Sequence, residues 1–385
     1  MSKKSGHPVS KKFAAYPRLN PLGVGKDISA ADLIDQVMLA YNGGRLREAA
    51  QLLAKKMLPR DGFIGMSLTG ALTPAGLGKS CLIPLMKGGY VDWIISTGAN
   101  LYHDLHFGLD MQLHSGSPFL DDVELREEGV IRIYDVLFPA QVLLDTDSFI
   151  RDFLVKSKLE GPVSSAELHE ALGRHLLKVR PGCAAYSVVA AAAKYGVPIY
   201  TSSPGDSSIG MNVAYHELIN RSTLQVDPNK DVNEVCAIIR AAEKNGCVIL
   251  GGGSPKNFYL QGQPTLWEVY GILKGGNDYF IQITTDSVVW GGLSGATPAE
   301  AVSWGKVDPD KLPDSVVCYT DSTIALPLLT AYVLSRVKPR KLKRLYDHRD
   351  AILGDIKTKY LKIGTVTKVL TSRKIAKRAS SVGLK

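Results

Sequence analysis

The chain is poor in cysteine. Its five thiols, Cys81, Cys183, Cys236, Cys247 and Cys318, are scattered over 385 residues and form no CxxC pair. That argues against a disulfide framework or a zinc site and fits a reducing, cytoplasmic setting. No apolar run approaches the roughly 18 residues a membrane helix needs. The opening Met1-Ser2-Lys3-Lys4-Ser5-Gly6-His7-Pro8-Val9 lacks the apolar stretch of a secretory signal. No segment recurs at a period of about 20–50 residues, so solenoids and propellers are excluded. A GxGxxG dinucleotide fingerprint is missing. Gly76-Leu77-Gly78-Lys79-Ser80 looks like the end of a phosphate-binding loop, but the leading glycine of GxxxxGK[ST] would fall at Thr73. Lys79-Ser80 therefore reads as the start of a helix.

What is present is an ordinary globular composition, 45% hydrophobic and 22% charged. The net charge of +9 is unevenly spread. Residues 337–385 hold fifteen Lys or Arg against three Asp, a balance of 15 − 3 = +12, so the remainder is 9 − 12 = −3. A mildly acidic body suits the admission of polycations. The basic segment reads as a solvated tail, and a nucleic-acid contact through residues 337–385 is the secondary reading.

Along the chain, residues 1–39 form an N-terminal arm, polar and rich in Lys, Pro and Gly up to a helical pattern capped by Ser29. Short β-like runs follow at 63–66, 93–96, 197–200, 248–250, 279–283 and 316–319. Helical segments lie between several of them, at 166–177 (Ser165 as N-cap), 184–195, 232–245 and 323–336, the last interrupted or delayed by Pro327. Strands alternating with helices of this length imply βαβ units and a largely parallel sheet over residues 40–336, an α/β fold. Three strand-like runs end in Gly-rich or hydroxyl-rich turns: Thr69-Gly70, Thr97-Gly98 and Gly251-Gly252-Gly253. Ligands of open α/β sheets bind at such carboxyl ends, where glycine admits a pyrophosphate.

His103, Asp104, His106, Asp110 and His114 crowd into twelve residues. A metal site would use this cluster, but a polar pocket lip following the Thr97-Gly98 turn is the preferred reading, and no metal is assigned. The most informative stretch is Ser294-Gly295-Ala296-Thr297-Pro298-Ala299-Glu300-Ala301-Val302-Ser303-Trp304-Gly305-Lys306. It places a carboxylate, an indole and a lysine within seven residues of one another. A partly desolvated lysine has its pKa lowered and becomes a nucleophile able to form a Schiff base. An indole face attracts cations.

This run, continued through Cys318-Tyr319-Thr320-Asp321-Ser322 and Ala325-Leu326-Pro327, is very similar to the active-site region of deoxyhypusine synthases. The similarity extends over roughly residues 40–336 and leaves the basic tail outside. The resemblance implies a Rossmann-like fold with helices on both faces of the sheet. It also implies a homotetramer with active sites between paired subunits. In that family NAD takes a hydride from spermidine, an aminobutyl imine forms on a lysine, and the group passes to an acceptor amine as the hydride returns. By position, Lys306 is the imine-forming lysine, and Glu300 and Trp304 line the amine pocket. Thr69, Gly70, Thr97, Gly98, Asp206, Gly252, Thr285, Asp286, Asp321 and Ser322 fall where the family contacts NAD. The chain departs from the pattern where a glutamate pair becomes Tyr102-His103, where two amine-binding aspartates become Met211 and Leu293, and where a pocket histidine becomes Asn257. Carboxylates that hold ammonium groups are thereby lost. His103 is then expected as a neutral acid/base, with Tyr102 stacking on a substrate cation. The implied activity is aminoalkyl transfer from a polyamine to a small amine, as in homospermidine synthases. The alternatives are a true deoxyhypusine synthase acting on a translation factor, or a non-catalytic NAD- or RNA-binding protein.

Overall fold

The structure is a computed structural model that describes residues 16–363. The six β-like runs become six parallel strands: β1 (Phe63–Leu68), β2 (Trp93–Ser96), β3 (Ile199–Thr201), β4 (Asn245–Leu250), β5 (Tyr279–Thr284) and β6 (Ser315–Tyr319). Their order is β6-β5-β4-β1-β2-β3, in register such that Ser67 of β1 faces Ile95 on one side and Ile249 on the other. This is the order of a doubly wound sheet, whose topological switch lies between the central β1 and β4.

Side chains alternate across the strands, so each strand feeds two cores. Ile64, Met66, Leu68, Val248, Ile281 and Ile283 face one layer of helices. That layer includes α1 (Ala30–Gln36), α2 (Tyr41–Leu52), α3 (Gly98–Gly108), α4 (Gln141–Ser157), α5 (Ser165–Val179), α6 (Val188–Tyr195) and α11 (Ser322–Arg336). Trp93, Ile95, Cys247, Ile249 and Phe280 face the other. There lie α8 (Pro228–Ala241), α9 (Gly253–Pro264) and α12 (Leu345–Ile363). Two further helices, α7 (Ser208–Asn220) and α10 (Pro298–Ser303), follow strand ends. The second core depends on one glycine. Tyr259 stacks on Trp93 at 4.4 Å and donates to Gly246 O at 3.1 Å. A Cβ at Gly65 would stand 2.3 Å from the Tyr259 ring, so only glycine fits β1 there.

Several expectations shift. Helix α5 is capped by Ser164, not Ser165: Ser164 Oγ accepts from Glu167 N at 3.1 Å, and the Glu167 carboxylate accepts from Ser164 N at 2.7 Å. Helix α8 starts earlier, at Pro228 behind the Asp227 cap, and ends before Asn245, which opens β4. Helix α11 begins at Ser322 and runs through Pro327, because the carbonyl deprived of its donor belongs to exposed Thr323. An antiparallel sheet of His114–Ser115, Val136–Pro139 and Val130–Ile133 was not expected from the sequence, nor were α4 and α7.

The largest correction concerns the basic segment. Its first half is not a solvated tail. Arg340 reaches Asp92 at 3.6 Å and donates to Gly62 O at 2.9 Å. Leu345, Tyr346 and Ile356 are buried against α8 and β3, and Arg349 lies 3.2 Å from Glu167. Arg340, Lys343 and Arg349 are thereby matched to the body carboxylates Asp92, Asp61 and Glu167. Residues 364–385, and residues 1–15 of the arm, lie outside the described residues. Within them the arm contributes α1, which is tied to α11 through Arg336–Asp32 at 2.7 Å and Tyr332–Asp35 at 3.0 Å. Among the described residues no helix is long and apolar enough to cross a membrane.

Candidate active site

The carboxyl ends of the strands gather the residues that the resemblance assigns to a cofactor. Thr69 and Gly70 follow β1, Thr97 and Gly98 follow β2, and Asp206 lies in the turn after β3. Gly252 follows β4, Thr285 and Asp286 follow β5, and Asp321 and Ser322 follow β6. The two central turns are joined across the switch point. Thr69 Oγ1 donates to Gly252 O and accepts from Gly252 N at 3.2 Å. Thr97 Oγ1 donates to Gly70 O at 2.5 Å and caps α3. Asp321 caps α11 by accepting from Thr323 N at 2.8 Å. Gly70, Gly251 and Gly253 all have φ between 58° and 80°, and a Cβ at Gly70 would meet nothing within 4 Å. The result is an open backbone cradle between helix N-termini, a shape and polarity that fit a dinucleotide.

Beside this cradle is a cavity of about 230 Å³ lined by Asn257, Leu293, Thr297, Glu300, Trp304 and Lys306, among others. Thr297 caps α10, so Glu300 sits in the first turn and Trp304 at its end. The chain then turns at Gly305 (φ 67°), where a Cβ would lie 2.7 Å from Trp267 Nε1. Both Asn277 N and Asn277 Nδ2 donate to Lys306 O, at 2.9 and 3.1 Å, which fixes the lysine backbone. Lys306 Nζ is half-buried, 3.3 Å from Asn257 Oδ1 and 5.5 Å from the Trp304 ring centre. Burial lowers its pKa, against the opposing pull of Glu300 and Glu268. Among the described residues this lysine has one neutral hydrogen-bond partner and faces a cavity, an environment in which a perturbed amine marks a candidate functional site.

The 97–106 segment is arranged differently. Tyr102 is 3% exposed and donates to Leu143 O at 3.1 Å. Its ring is buried, so it offers no face for a substrate cation. Asp104 is also buried; it accepts from Ser187 Oγ (2.6 Å), Val188 N (2.7 Å) and Val189 N (3.0 Å), and so anchors the start of α6. Burial raises its pKa to about 6, opposed by those three donors. His103 does not line the Lys306 cavity. It belongs to a chain whose protons can be placed. Thr146 Oγ1 donates to Val142 O at 2.7 Å, so its oxygen accepts from His106 Nδ1 at 2.9 Å. His106 Nε2 then accepts from His103 Nδ1 at 3.0 Å, leaving Nε2 of His103 as the unprotonated nitrogen. Burial lowers the pKa of both rings, His106 to about 3. Among the described residues no group of three or more His, Cys, Asp or Glu could hold a metal ion.

Sequence reading missed several residues. Asn100, fully buried, accepts from Leu72 N at 2.6 Å and tethers the turn after β1 to α3. Lys256, buried in the cavity wall, and Gln282 behind it bond to each other and to the loop that precedes α10. The only hint in the sequence was a lone lysine three residues after Gly251-Gly252-Gly253.

Sheet order, cradle and half-buried lysine define an α/β protein with a nucleotide-type crevice beside a lysine pocket. The sequence model described as deoxyhypusine synthase matches residues 32–333. The deoxyhypusine synthase-like protein of Nostoc punctiforme is 55% identical over 350 residues, covering 89% of this chain and 90% of that one. A Methanosarcina acetivorans protein named "Probable deoxyhypusine synthase 2" is 37% identical over 321 residues, covering 83% and 90%. The chain therefore belongs to the deoxyhypusine synthase family. A crystal structure of an Entamoeba histolytica protein assigned as a deoxyhypusine synthase superposes with a TM-score of 0.55 at 16% identity, covering 84% of this chain and 99% of that one, a likeness of fold.

Proposed function

We propose that the protein transfers an aminoalkyl group from a polyamine donor, through an imine on Lys306, to a small acceptor amine, with NAD in the cradle at the strand ends. The observation that carries this reading is the half-buried Lys306 amine, facing the cavity beside Glu300 and Trp304. NAD, held by the strand-end turns, would supply a hydride acceptor for the carbon beside the donor nitrogen and a hydride source for the final imine. Lys306 Nζ adds to the oxidised carbon, and the rest of the donor leaves as a free amine. The acceptor amine then displaces Lys306 from the imine, regenerating the lysine. Glu300 draws the remaining ammonium of the donor, the Trp304 face supports it, and Asn257 orients the lysine. The acceptor is small because Leu293 lines the cavity where the family carries a carboxylate. His103, with Nε2 unprotonated, supplies an acid/base group in this reading. The proposed assembly is a homotetramer with sites between paired subunits, which would cover the exposed Val289, Trp290 and Trp304 and bring His103 of one chain toward its neighbour.

Trapping the imine tests this. The protein is incubated with NAD and spermidine, putrescine or agmatine, reduced with borohydride, digested and weighed. An aminoalkyl mass on Lys306 that requires NAD is the expected result. No adduct with any donor, despite measured NAD binding, would overturn the choice of donors; no adduct and no NAD binding would overturn the reaction.

A further inference from the structure

The amino ends of the strands lie across the sheet from the cradle, about 20 Å away along the six residues of β1. Four segments distant in sequence meet there. Arg340 N donates to Gly88 O at 2.8 Å and Arg340 Nη2 to Gly62 O at 2.9 Å, just before β2 and β1. Arg344 Nη1 donates to Lys194 O at 3.1 Å, just before β3. The crossing is close enough to need glycine at two points. A Cβ would stand 2.7 Å from Arg340 O at Gly89 (φ 71°) and 2.6 Å from Arg344 Cα at Gly196 (φ 77°). The segment 337–344 is thereby fixed against the ends of three strands, and its exposed cations project from a set backbone.

Some of the charge at this end is used inside the protein. Arg340 faces Asp92, Lys343 faces Asp61 and Arg344 faces Asp347. Lys244, beside Gly62, is paired with Asp278. Arg60, Lys87, Lys194, Lys338 and Lys341 are exposed and have no ion-pair partner among the described residues. None of the five lines the Lys306 cavity. Like charges gathered on one end of a body whose first 336 residues are net acidic do nothing for the fold, because they repel one another.

We propose that this face binds the phosphate backbone of a nucleic acid. Of the described residues in 58–63, 87–91, 194–198 and 337–344, no large apolar side chain is exposed. A protein partner needs an apolar centre to its interface, whereas nucleic-acid interfaces are more polar and far more positively charged. Attachment to an anionic bilayer adds buried apolar area to electrostatic attraction, and this face offers none. The partner is therefore a chain of phosphodiesters, met by cations from four segments.

The test does not depend on Lys306. Full-length protein is titrated into labelled RNA and DNA of one sequence, about 30 nucleotides long, single-stranded and duplex, from about 50 to 300 mM salt. Five phosphate contacts give a slope of log affinity against log salt of about −3.5 for single strands or about −4.5 for duplexes. The RNA and DNA arms show which backbone is preferred. Lys338→Gln with Lys341→Gln should flatten the slope by about 1.5 and weaken binding about tenfold at low salt, with imine trapping unchanged. Residues 364–385 hold six further Lys or Arg and no Asp or Glu, so Arg373→Gln with Lys374→Gln is the companion variant. Weakened binding in the companion alone would overturn the proposal and assign the contact to 364–385. So would no binding to any of the four nucleic acids at the lowest salt, or binding confined to vesicles of phosphatidylglycerol and phosphatidylcholine.

Discussion

The turn after β2 and the loop after β5 both end at the same crevice, yet they are built to opposite specifications. In the first, Tyr102, Asp104 and His106 are buried, and their polar atoms are spent on partners inside the fold. In the second, Trp290 is 76% exposed, Trp304 58% exposed, and Lys306 keeps a single neutral partner. Saturated polar groups hold a scaffold rigid, whereas unspent ones are available to a ligand. The contrast separates residues whose polar groups are used inside the fold from those left available to a ligand, although both groups read as a polar cluster in the sequence.

The sharpest way to break the contrast is at its two poles. Lys306→Ala should reduce imine trapping by at least about a thousandfold while the protein remains folded; retained trapping would move the chemistry to another lysine. Asp104→Ala should do the reverse. It leaves three donors in the interior without an acceptor and should cost about 3 kcal/mol in urea unfolding, with trapping per folded molecule unchanged.

A pH series sharpens the scaffold side. His106 and His169 are held neutral by burial, at about 3 and about 4, whereas unfolded imidazoles take a proton near 6.5. Their folded pKa values are depressed. The unfolded chain therefore binds more protons below 6.5, and the stability they contribute is full above that pH and lost as pH falls toward 4. Asp92 and Asp104, raised by burial to about 6, act in the opposite sense across that window. The quantity to read is consequently the difference between wild type and a His106→Asn, His169→Asn double variant, whose urea midpoint should fall less steeply with acid. A smaller effect belongs to the pocket. Glu300→Gln removes a carboxylate that favours protonated Lys306, so the lysine should titrate at lower pH, by less than about one unit, while donor KM rises. Trapping and steady-state kinetics across pH separate the two consequences. The smallest is Tyr346→Phe, which removes the oxygen that accepts from Ile199 N at 3.2 Å and should cost about 1 kcal/mol of stability with no kinetic change.

Much of this was legible in the sequence. All six strands announced themselves as short β-branched or aromatic runs, because strands buried on both faces need apolar residues at every position. The turns at Thr69, Thr97 and Gly252 marked the crevice for the same reason that glycine and hydroxyl residues end strands. Helix α7 stayed hidden because Met211, Leu218 and Ile219 are exposed, so its apolar residues trace no single face. Tyr102 was misread because a tyrosine on a pocket lip and one in a core look alike until Leu143 O is seen to take its hydroxyl. Lys256 was passed over because two of its three partners are main-chain oxygens some 40 residues away, which leave no mark on side-chain patterns. Arg340 and Arg349 were counted as tail charge because pairing with Asp92 and Glu167 is invisible in a running sum.

One consequence of those arginines reaches back to synthesis. The outer strands of an open sheet expose unpaired amide groups that invite another chain to add itself. Here β6 is shielded by the start of α2, where Asn42 Nδ2 donates to Tyr319 O at 2.6 Å. The opposite strand, β3, waits for the far end of the chain: Tyr346 N donates to Gly196 O at 3.1 Å, and the Tyr346 hydroxyl takes the Ile199 amide. Helix α5, made earlier, already takes two groups of that edge, since Ser165 Oγ accepts from Thr201 N at 3.0 Å and His169 Nδ1 bonds Ile199 O at 2.8 Å, so what a nascent chain lacks until the segment around residue 346 leaves the ribosome is the partner of the Ile199 amide and of Gly196 O.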